Sequence, residues 1–465
     1  MKAVPVIAIF DIGKTNKKFF LIDESYNIVL ERSIPFTEIL DENGDACDDI
    51  ARITGWIAET LTEMLQLPGF EIRAINFSTY GASLVYIDAE DRVLTPLYSY
   101  LKAYPEKLKE ELYAKYGGEA KISRETASPV LGSLNSGMQL YRILKEKPAL
   151  YDNIRFALHL PQYVSYLVTK EYYSDITSIG CHTQLWDFQH HTYHAWVIKE
   201  GLDKKLAPLF PSDKALSTTL GNRQVPVGTG LHDSSAALIP YLAVFSEPFI
   251  LISTGTWCIS LNPFNHTPLT ADELAKDCLC YMGYKGNPVK AARLFAGNEH
   301  EQQVRRLADH FKTSLDHYKN VRYDASMIAV LKTKFNFDTD DDIPTGSNSS
   351  GFIKRPIDEF DSYEEAYHCL MQDIMQQQAA STRLVIRGSQ VTRLFVDGGF
   401  GNNAVYMHLF SLAFPAMEVY AASVAQATAM GAALAIHQEW NTQPVPADMV
   451  KLKYYHITDM PKTAV

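Results

Sequence analysis

An aspartate at the end of the first apolar run stands where a carboxylate could bind a ligand. Asp11 ends the run Val6–Asp11 and is followed by the turn Ile12–Asn16, which contains Gly13 and Thr15. Backbone N–H groups of such a turn and the Thr15 hydroxyl can hold phosphate oxygens. The Asp11 carboxylate can hold Mg²⁺ through water. Taken alone, these residues fit a plain β-turn equally well.

The triplet Gly13-Lys14-Thr15 also ends like a P-loop, but the rest of that pattern is missing. A P-loop has another glycine five residues before the second one, where this chain has Ala8, and it leads into a helix. Here the chain continues as the apolar run Phe19–Asp23. We therefore interpret the segment as a tight hairpin turn, with Lys18 as an additional positive charge beside it.

Asp233 is the second carboxylate in a suitable position. It follows Gly228-Thr229-Gly230-Leu231-His232, between the predicted strand Val225–Gly228 and the predicted helix Asp233–Ile239. The positive end of the helix dipole keeps a carboxylate at this position ionised, so that it could accept a proton. Taken alone, an ordinary helix-capping aspartate is the better interpretation.

Two further turns carry glycine and hydroxyl residues. Thr254-Gly255-Thr256 joins two predicted strands, and Asp397-Gly398-Gly399 with Asn402 joins the strand Arg393–Val396 to the helix Asn403–Phe414. Glycine allows a phosphate or a flat ring to approach the backbone closely. The spacing of a dinucleotide-binding GxGxxG turn is absent, and each turn taken alone fits an ordinary connection.

A histidine cluster offers an alternative chemistry. His190, His191 and His194 lie close together in the sequence, but no second group of ligands has matching spacing. A metalloenzyme therefore stays an alternative that stoichiometric metal in the purified protein would support. Serine hydrolysis has no anchor, because a Gly-x-Ser-x-Gly turn is absent.

Composition narrows the class of protein. The chain has 465 residues, 46% of them hydrophobic, which allows about two to four domains. With 43 basic and 54 acidic residues the net charge is −11, which disfavours a nucleic-acid partner. The six cysteines are too scattered for a disulfide framework. Because the first residues lack a signal-peptide pattern and no apolar stretch suits a membrane span, we expect a cytoplasmic protein.

The predicted elements suggest two similar domains. A β-meander over 6–34 opens the chain, and a second hairpin, Phe249–Ser253 with Cys258–Leu261, follows about 240 residues later. We predict a boundary near Tyr241–Glu247, giving domains 1–243 and 244–465. Long helices are predicted over Tyr363–Arg387, with a capping box of Ser362 and Glu365, and over Val424–Gln438.

The order of the four turns resembles that of the FGGY carbohydrate kinases, within the actin-like/hexokinase-like ATPase superfamily. The resemblance covers the chain from about Val6 to Ile436, and Val424–Leu434 is similar to the family's terminal signature, with Gln426 where glutamate is usual. His232-Asp233, Ser253–Trp257 and Leu160–Tyr166 resemble the rhamnulokinase-like branch. The implied fold is α/β, with two ribonuclease H-like domains, each a mixed sheet flanked by helices, and a cleft between them.

The resemblance also implies roles for the residues above. ATP, Mg²⁺ and a small sugar are the expected ligands, and a homodimer is left open. The expected catalytic base is Asp233, with Asp11 and Asp233 near the metal. The expected nucleotide contacts are Gly13, Thr15, Lys18, Gly255, Thr256, Gly398, Gly399 and Asn402. The expected sugar contacts are Ala82, Ser83, Gln162 and His232.

Two departures from the branch concern the sugar rather than the reaction. Ser83 stands where the branch tends to carry an acidic residue, and Gln162 replaces an aspartate. The expected substrate is a ketose or deoxy-ketose such as L-rhamnulose or L-fuculose. A ketopentose or a sugar acid is the alternative substrate, and a non-catalytic ATP-binding regulator of the same fold is the alternative function.

Overall fold

The computed structural model describes residues 3–14, 16–335, 337 and 350–455. Its strands are β1 Val4–Ile12, β2 Asn16–Asp23, β3 Ile28–Pro35, β4 Ile39–Leu40, β5 Ala46–Cys47, β6 Phe70–Thr79, β7 Leu84–Ile87, β8 Phe156–His159, β9 Trp186–Asp187, β10 Thr192–Tyr193, β11 Ala215–Leu220, β12 Arg223–Gly228, β13 Leu231–His232, β14 Phe249–Thr254, β15 Cys258–Asn262, β16 Cys278–Met282, β17 Pro288–Leu294, β18 Arg393–Gly398, β19 Glu418–Ser423 and β20 Lys451–Tyr455.

The helices alternate with these strands along most of the chain. They are α1 Ile50–Gln66, α2 Glu106–Tyr116, α3 Glu119–Glu125, α4 Ser136–Glu146, α5 Pro148–Asn153, α6 Leu160–Thr169, α7 Ile176–Ile179, α8 Ala195–Lys199, α9 Asp233–Val244, α10 Ala271–Ala275, α11 Ala296–Phe311, α12 Ala325–Lys334, α13 Tyr363–Ile386, α14 Ala404–Ala413, α15 Ala427–Ala435 and α16 His437–Trp440. Within the described ranges, none of them is long and apolar enough to cross a membrane.

The described residues form two compact units. Unit 1 contains the chain up to Ser246 together with Cys280–Pro288 and Ala425–Met449, and unit 2 contains Glu247–Leu279, Val289–Val424 and the residues from Val450 onward. The first crossing between the units, after Ser246, lies near the predicted boundary at 243/244. Two later segments nevertheless belong to unit 1. In the second of them, helix α15 packs against α9, β1 and β6.

The two sheets repeat the same pattern of strand directions. Within each seven-stranded sheet, six strands follow the order β11-β12-β6-β1-β2-β3 in unit 1 and β20-β19-β18-β14-β15-β17 in unit 2. In both orders the successive pairs are antiparallel, parallel, parallel, antiparallel and antiparallel. The predicted recurrence of an opening hairpin is therefore confirmed, and it extends to the whole order of these strands.

The core of unit 1 lies where β1 and β6 meet α1. The side chain of Phe10 packs edge-on against Trp56, with ring centroids 5.3 Å apart, and is stacked on Phe77. All three rings are buried. Aromatic contacts of this kind add to the free energy gained by burying the rings, so this packing fixes the strand that ends in Asp11.

Two helix predictions need correction. The capping box at α13 is only half formed, because the Ser362 side chain accepts from the backbone N–H of Glu365 while the Glu365 carboxylate accepts from Asp361 instead. The predicted helix Val424–Gln438 is shorter, and α16 is separate from it. The left-handed backbone of Gln426, with φ of 50°, delays its start after β19.

Candidate functional site

Asp11 lies at the end of β1, beside Lys18 on β2 and Ser78 on β6. Its carboxylate accepts a 2.7 Å hydrogen bond from the hydroxyl of Thr428. The pKa of Asp11 is raised to about 6, chiefly by burial and also by the negative charge of Asp233, while Thr428 and Lys18 oppose the shift. A cation at this position would relieve the unfavourable burial of negative charge.

The turn after Asp11 is the predicted hairpin. The N–H of Gly13 donates to the carbonyl of Asn16 at 2.9 Å, which closes the turn. Thr15, a predicted phosphate ligand, lies outside the described residues. The ammonium group of Lys18 lies 3.4 Å from Glu31 and 3.3 Å from the amide oxygen of Gln426.

The other two lysines of this turn bind an aspartate. Lys14 and Lys17 each place Nζ 2.8 Å from a different oxygen of Asp48, and Lys14 also contacts Glu38. The hydroxyl of Tyr80 donates to Asp48 at 2.8 Å. Lys17 is fully buried, so its ammonium requires this ion pair.

Asp233 is the first residue of α9, and His232 rather than Asp233 occupies the capping position. An Asp233 carboxylate oxygen accepts from the backbone N–H of Ser234 at 2.6 Å and lies 3.2 Å from His232 Nε2. The Asp233 side chain is 31% exposed, whereas His232 is buried. Asp233 is therefore a carboxylate that an incoming molecule can reach.

His232 is held from both sides of its backbone. Its N–H donates to the hydroxyl of Thr177 at 3.0 Å, and β13 pairs with the end of β6, with His232 opposite Thr79. The ring lies directly over Gly81, where an added Cβ would come within 2.5 Å of it. Glycine at position 81 thus leaves space for the imidazole.

The predicted sugar contacts Ala82, Ser83 and Gln162 are all buried in unit 1. Ala82 has a left-handed backbone, with φ of 64°, and its carbonyl accepts from Gln139. The Ser83 hydroxyl donates to the carbonyl of Tyr98 at 3.2 Å. Gln162 donates to the carbonyls of Thr229 and Gly230, which precede β13, and its side-chain oxygen is buried without a hydrogen-bond partner.

The predicted glycine turns of unit 2 form a second group. Gly297, at the start of α11, packs so tightly on the β14–β15 turn that a Cβ there would lie 1.8 Å from the carbonyl oxygen of Gly255. Gly398 has φ of 92° and would place a Cβ 1.9 Å from the carbonyl oxygen of Thr254. The Thr254 hydroxyl donates to the backbone carbonyl of Asp397 at 2.6 Å and accepts from the backbone N–H of Phe400.

These turns border a cavity of about 770 Å³ in unit 2. Gly255, Thr256, Gly399 and Asn402 line it, so the structure brings these predicted nucleotide contacts together. Gly398 lies beside them and its carbonyl accepts from Asn402. A volume of this size suits a bound small molecule.

The sequence motifs did not indicate the other residues that line the cavity. They include Gly297, His300, Arg305, Tyr318 and Lys319. His300 Nε2 lies 3.0 Å from the hydroxyl of Tyr367, and burial lowers the pKa of His300 to about 4, so the ring is neutral near pH 7. Gly297 could have been found, because it lies where a strand leads into a helix, as Gly398 and Gly399 do.

The histidine cluster of the metal alternative is not a shared site. His190 pairs with Asp187 at 2.9 Å, and His194 pairs with Glu125 at 2.8 Å. Across the described part of the chain, one group of three or more histidine, cysteine or acidic side chains is close enough to share an ion. It consists of Cys181, His182 and His232, which the sequence motifs did not indicate.

Comparison with known proteins agrees with this arrangement. Residues 6–240 match the N-terminal domain of the FGGY family of carbohydrate kinases, and residues 246–444 match the C-terminal domain of the same family. The chain belongs to the FGGY family of carbohydrate kinases. Its fold is the actin-like ATPase fold.

Curated relatives of this FGGY chain include rhamnulokinase of Mannheimia succiniciproducens, 25% identical over 282 residues, which are 58% of this chain and 55% of that protein. L-fuculokinase of Salmonella typhi is 24% identical over 278 residues, 54% of this chain and 55% of the relative. The matched region thus spans about half the length of these relatives.

Solved structures match over nearly the whole FGGY chain. A carbohydrate kinase from Novosphingobium aromaticivorans has a TM-score of 0.80 at 22% identity, covering 98% of this chain and 95% of the other. A ligand-bound xylulose kinase from Lactobacillus acidophilus has a TM-score of 0.78 at 16% identity, covering 97% and 94%. At these identities the structural match supports the fold alone.

Proposed function

We propose that this chain transfers the γ-phosphoryl group of ATP to a hydroxyl of a small sugar, with Asp233 as the general base. The observation that carries the proposal is the placement of two carboxylates in unit 1. Asp233 is reachable at the start of α9, and it is near enough to Asp11 for its charge to raise the pKa of that carboxyl group. Family membership supports the reaction class.

In the proposed reaction, Asp233 accepts the proton of the sugar hydroxyl while the oxygen of that hydroxyl bonds to the γ-phosphorus. The bond from that phosphorus to the β,γ-bridging oxygen breaks, and ADP leaves. Helix α9 stabilises the ionised form of Asp233 through its dipole, and the hydrogen bond from Ser234 N–H orients the carboxylate. The contribution of the protein is mainly positioning, as phosphoryl transfer requires.

The oxygen donors of this site fit Mg²⁺. Asp11 and Asp233 are hard carboxylate ligands, and the raised pKa of Asp11 means that its negative charge lacks full compensation from the protein. When bound with ATP, Mg²⁺ would supply positive charge that neutralises the phosphates. We propose Asp11 and Asp233 as the residues that hold it.

Phosphate and nucleotide contacts are proposed separately for each unit. In unit 1, Lys18 supplies a cation beside Asp11. The N–H of Gly13 is bonded to Asn16, so Gly13 is proposed because it has no side chain to block a phosphate. Thr15 is proposed from the sequence alone. In unit 2, exposed backbone at the turns can hold phosphate oxygens, and the cavity beside them suits the adenosine part. The proposed residues there are Gly255, Thr256, Gly398, Gly399 and Asn402.

For the sugar, we propose a neutral ketose or deoxy-ketose such as L-rhamnulose or L-fuculose. The proposed contacts Ala82, Ser83, Gln162 and His232 carry no fixed charge, and burial lowers the pKa of His232. Lys14 and Lys17, the cations near Tyr80, are paired with Asp48. A sugar acid would need a cation to pair with its carboxylate. A ketopentose, which is also uncharged, is therefore the closer alternative substrate.

The test is ADP release from Mg-ATP across a panel of ketoses, aldoses, polyols and sugar acids. The wild type should respond strongly to one substrate class, and Asp233→Asn should abolish turnover while ATP still binds. Asp11→Asn should weaken the metal-dependent activity. Asp152→Asn, at an exposed position of unit 1, is the matched control and should be fully active.

Full activity of Asp233→Asn would contradict its assignment as the base. If ATP binds but the whole panel is silent, a non-catalytic ATP-binding regulator becomes the better hypothesis.

We propose a cytoplasmic location for the protein. None of the six cysteines, all within the described ranges, forms a disulfide, and all are buried, as suits a reducing compartment. A homodimer stays a prediction that sedimentation velocity would test.

A further inference from the structure

Three potential metal ligands meet beside Asp233 in unit 1. Cys181, His182 and His232 each offer a ligand atom within 4.8 Å of the other two, and all three residues are buried. The rings of His182 and His232 are nearly perpendicular, with centroids 5.9 Å apart. A thiol and two imidazoles form a soft donor set that suits Zn²⁺.

The hydrogen bond of His182 to a backbone carbonyl fixes which of its ring nitrogens carries the proton. Its Nδ1 lies 3.2 Å from the carbonyl oxygen of Leu134. A carbonyl can only accept, so Nδ1 carries the proton in this bond and Nε2 keeps its lone pair. Such a backbone carbonyl is the usual partner that fixes the tautomer of a metal-binding histidine.

Only one of the two ring nitrogens of His232 lies near polar partners. Its Nε2 lies 3.7 Å from the sulfur of Cys181 and 3.2 Å from a carboxylate oxygen of Asp233, whereas its Nδ1 is buried without a hydrogen-bond partner. Nε2 is therefore the His232 nitrogen that would bind the metal, with the proton on Nδ1.

We propose that Cys181, His182 and His232 bind one Zn²⁺ ion, and that this ion inhibits the chain. The thiol of Cys181 releases its proton to solvent, and the sulfur and one nitrogen of each imidazole donate lone pairs to the metal. Tetrahedral zinc places neighbouring sulfur and nitrogen ligands roughly 3.5 Å apart, close to the 3.7 Å between Cys181 and His232. The partly exposed Asp233 side chain offers the route of entry.

Inhibition would act through His232 Nε2. That nitrogen cannot bind zinc and also donate a hydrogen bond to Asp233, so the carboxylate loses a contact that orients it. This consequence rests on the proposed function of Asp233, whereas zinc binding itself does not.

The binding test uses Co²⁺ and Zn²⁺ with the full chain. Co²⁺ should produce thiolate-to-cobalt charge-transfer absorption at one equivalent per chain, and Zn²⁺ should displace it. Competition with a chromophoric chelator should show that Cys181→Ser weakens Zn²⁺ binding at least ~10-fold. His182→Asn should do the same, and asparagine tolerates the left-handed backbone at this position, where φ is 39°.

The matched control is Cys47→Ser, which changes a buried unit 1 cysteine outside the cluster and should bind Zn²⁺ like the wild type. Circular dichroism checks that each variant folds. If a variant does not fold, the wild-type cobalt spectrum still shows whether the chain binds the metal through a thiolate. Absence of the charge-transfer band, or equal Zn²⁺ affinity for wild type and Cys181→Ser, would overturn the proposal.

The activity arm separates the two proposals. Zn²⁺ should inhibit wild-type turnover reversibly, while Cys181→Ser and His182→Asn should keep their activity at Zn²⁺ concentrations that inhibit the wild type. If Cys181→Ser and His182→Asn bind Zn²⁺ more weakly than the wild type but no sugar supports turnover, the proposed function fails and the metal site stands. If turnover is normal and unaffected by bound Zn²⁺, the inhibitory role is wrong.

Discussion

Thr428 donates its hydroxyl hydrogen to Asp11 across 417 positions of sequence, at 2.7 Å. The bond joins α15 to the end of β1 within unit 1, where the helix also packs on β6 and α9. It favours the ionised form of Asp11, opposing the burial that raises its pKa. Thr428 is therefore a positioning residue for the carboxylate that we propose to hold Mg²⁺.

The first prediction concerns this bond. Thr428→Val keeps the shape of the side chain but removes the hydroxyl, so Asp11 loses a charged hydrogen bond worth about 1.5–3 kcal/mol. We expect roughly a tenfold higher Mg²⁺ requirement for turnover, together with a fall of a few degrees in the thermal unfolding temperature. Thr428→Ser keeps the hydroxyl and should resemble the wild type. Equal Mg²⁺ dependence of the valine and serine variants would contradict the role.

The second prediction concerns the support of Asp233. The Thr177 hydroxyl donates to the buried Asp175 and accepts from the N–H of His232, so it connects a fixed carboxylate to the residue before Asp233. Thr177→Val leaves that N–H without a partner, at a cost of about 1–3 kcal/mol.

We expect Thr177→Val to lower kcat at least threefold while KM for ATP stays unchanged, because the nucleotide contacts of unit 2 are untouched. Thr177→Ser should restore kcat. A purely structural role would instead lower the stability of Thr177→Val with no change in kcat per folded molecule, and denaturant unfolding beside the kinetics distinguishes the two.

Much of the fold could be predicted because the apolar runs of this chain end in turn residues. The strands of the meander and of the second hairpin lie where the sequence predicts them. The helix α14 begins one residue after its predicted first residue, Asn403, whose side chain caps it by accepting from the N–H of Tyr406. These signals act over a few residues, which is the range of turns and caps.

The site was less predictable because its contacts are long-range. Nothing near Thr428 in the sequence indicates that its partner is Asp11, and Thr177 is 55 positions from His232. The lysine-rich turn shows the same limit. Whether Lys14 and Lys17 contact phosphates cannot be predicted from the sequence, and in the structure both pair with Asp48, which only the folded sheet brings beside them.

The third prediction concerns the contact between α15 and α9. A Cβ on Gly431 would lie 1.8 Å from the backbone oxygen of Ala236, so Gly431→Ala forces two helices of unit 1 apart. We expect a loss of about 3 kcal/mol in the free energy of unfolding, measured by urea denaturation. Turnover should fall as well, because α9 begins with Asp233.

The matched control for that change is Gly55→Ala. Gly55 lies inside α1, and only a distant side-chain atom of Glu59 comes within 4.0 Å of the added Cβ. Alanine there should stabilise the helix by about 0.5–1 kcal/mol. If both substitutions change stability in the same direction, the clash at Gly431 is not the cause.

The fourth prediction is a pH dependence of stability. Glu200 accepts hydrogen bonds from Lys115, Tyr116 and Lys145, and so ties α2 and α4 to the end of α8. Burial alone would raise its pKa, but these partners outweigh burial and lower the pKa to about 2, from an ordinary value of 4.5.

A carboxylate whose pKa is lowered by folding stabilises the native state fully above its unfolded pKa, and the effect is lost as pH falls toward the folded pKa. Glu200→Gln should therefore reduce the free energy of unfolding by about 1–2 kcal/mol at pH 7, allowing for solvent screening. The difference from wild type should shrink as pH falls below about 4.5. Urea unfolding between pH 7 and pH 3.5 measures it, with Glu110→Gln, an exposed position on α2, as the control. A difference that stays constant with pH would mean that packing of the side chain, rather than its charge, joins the three helices.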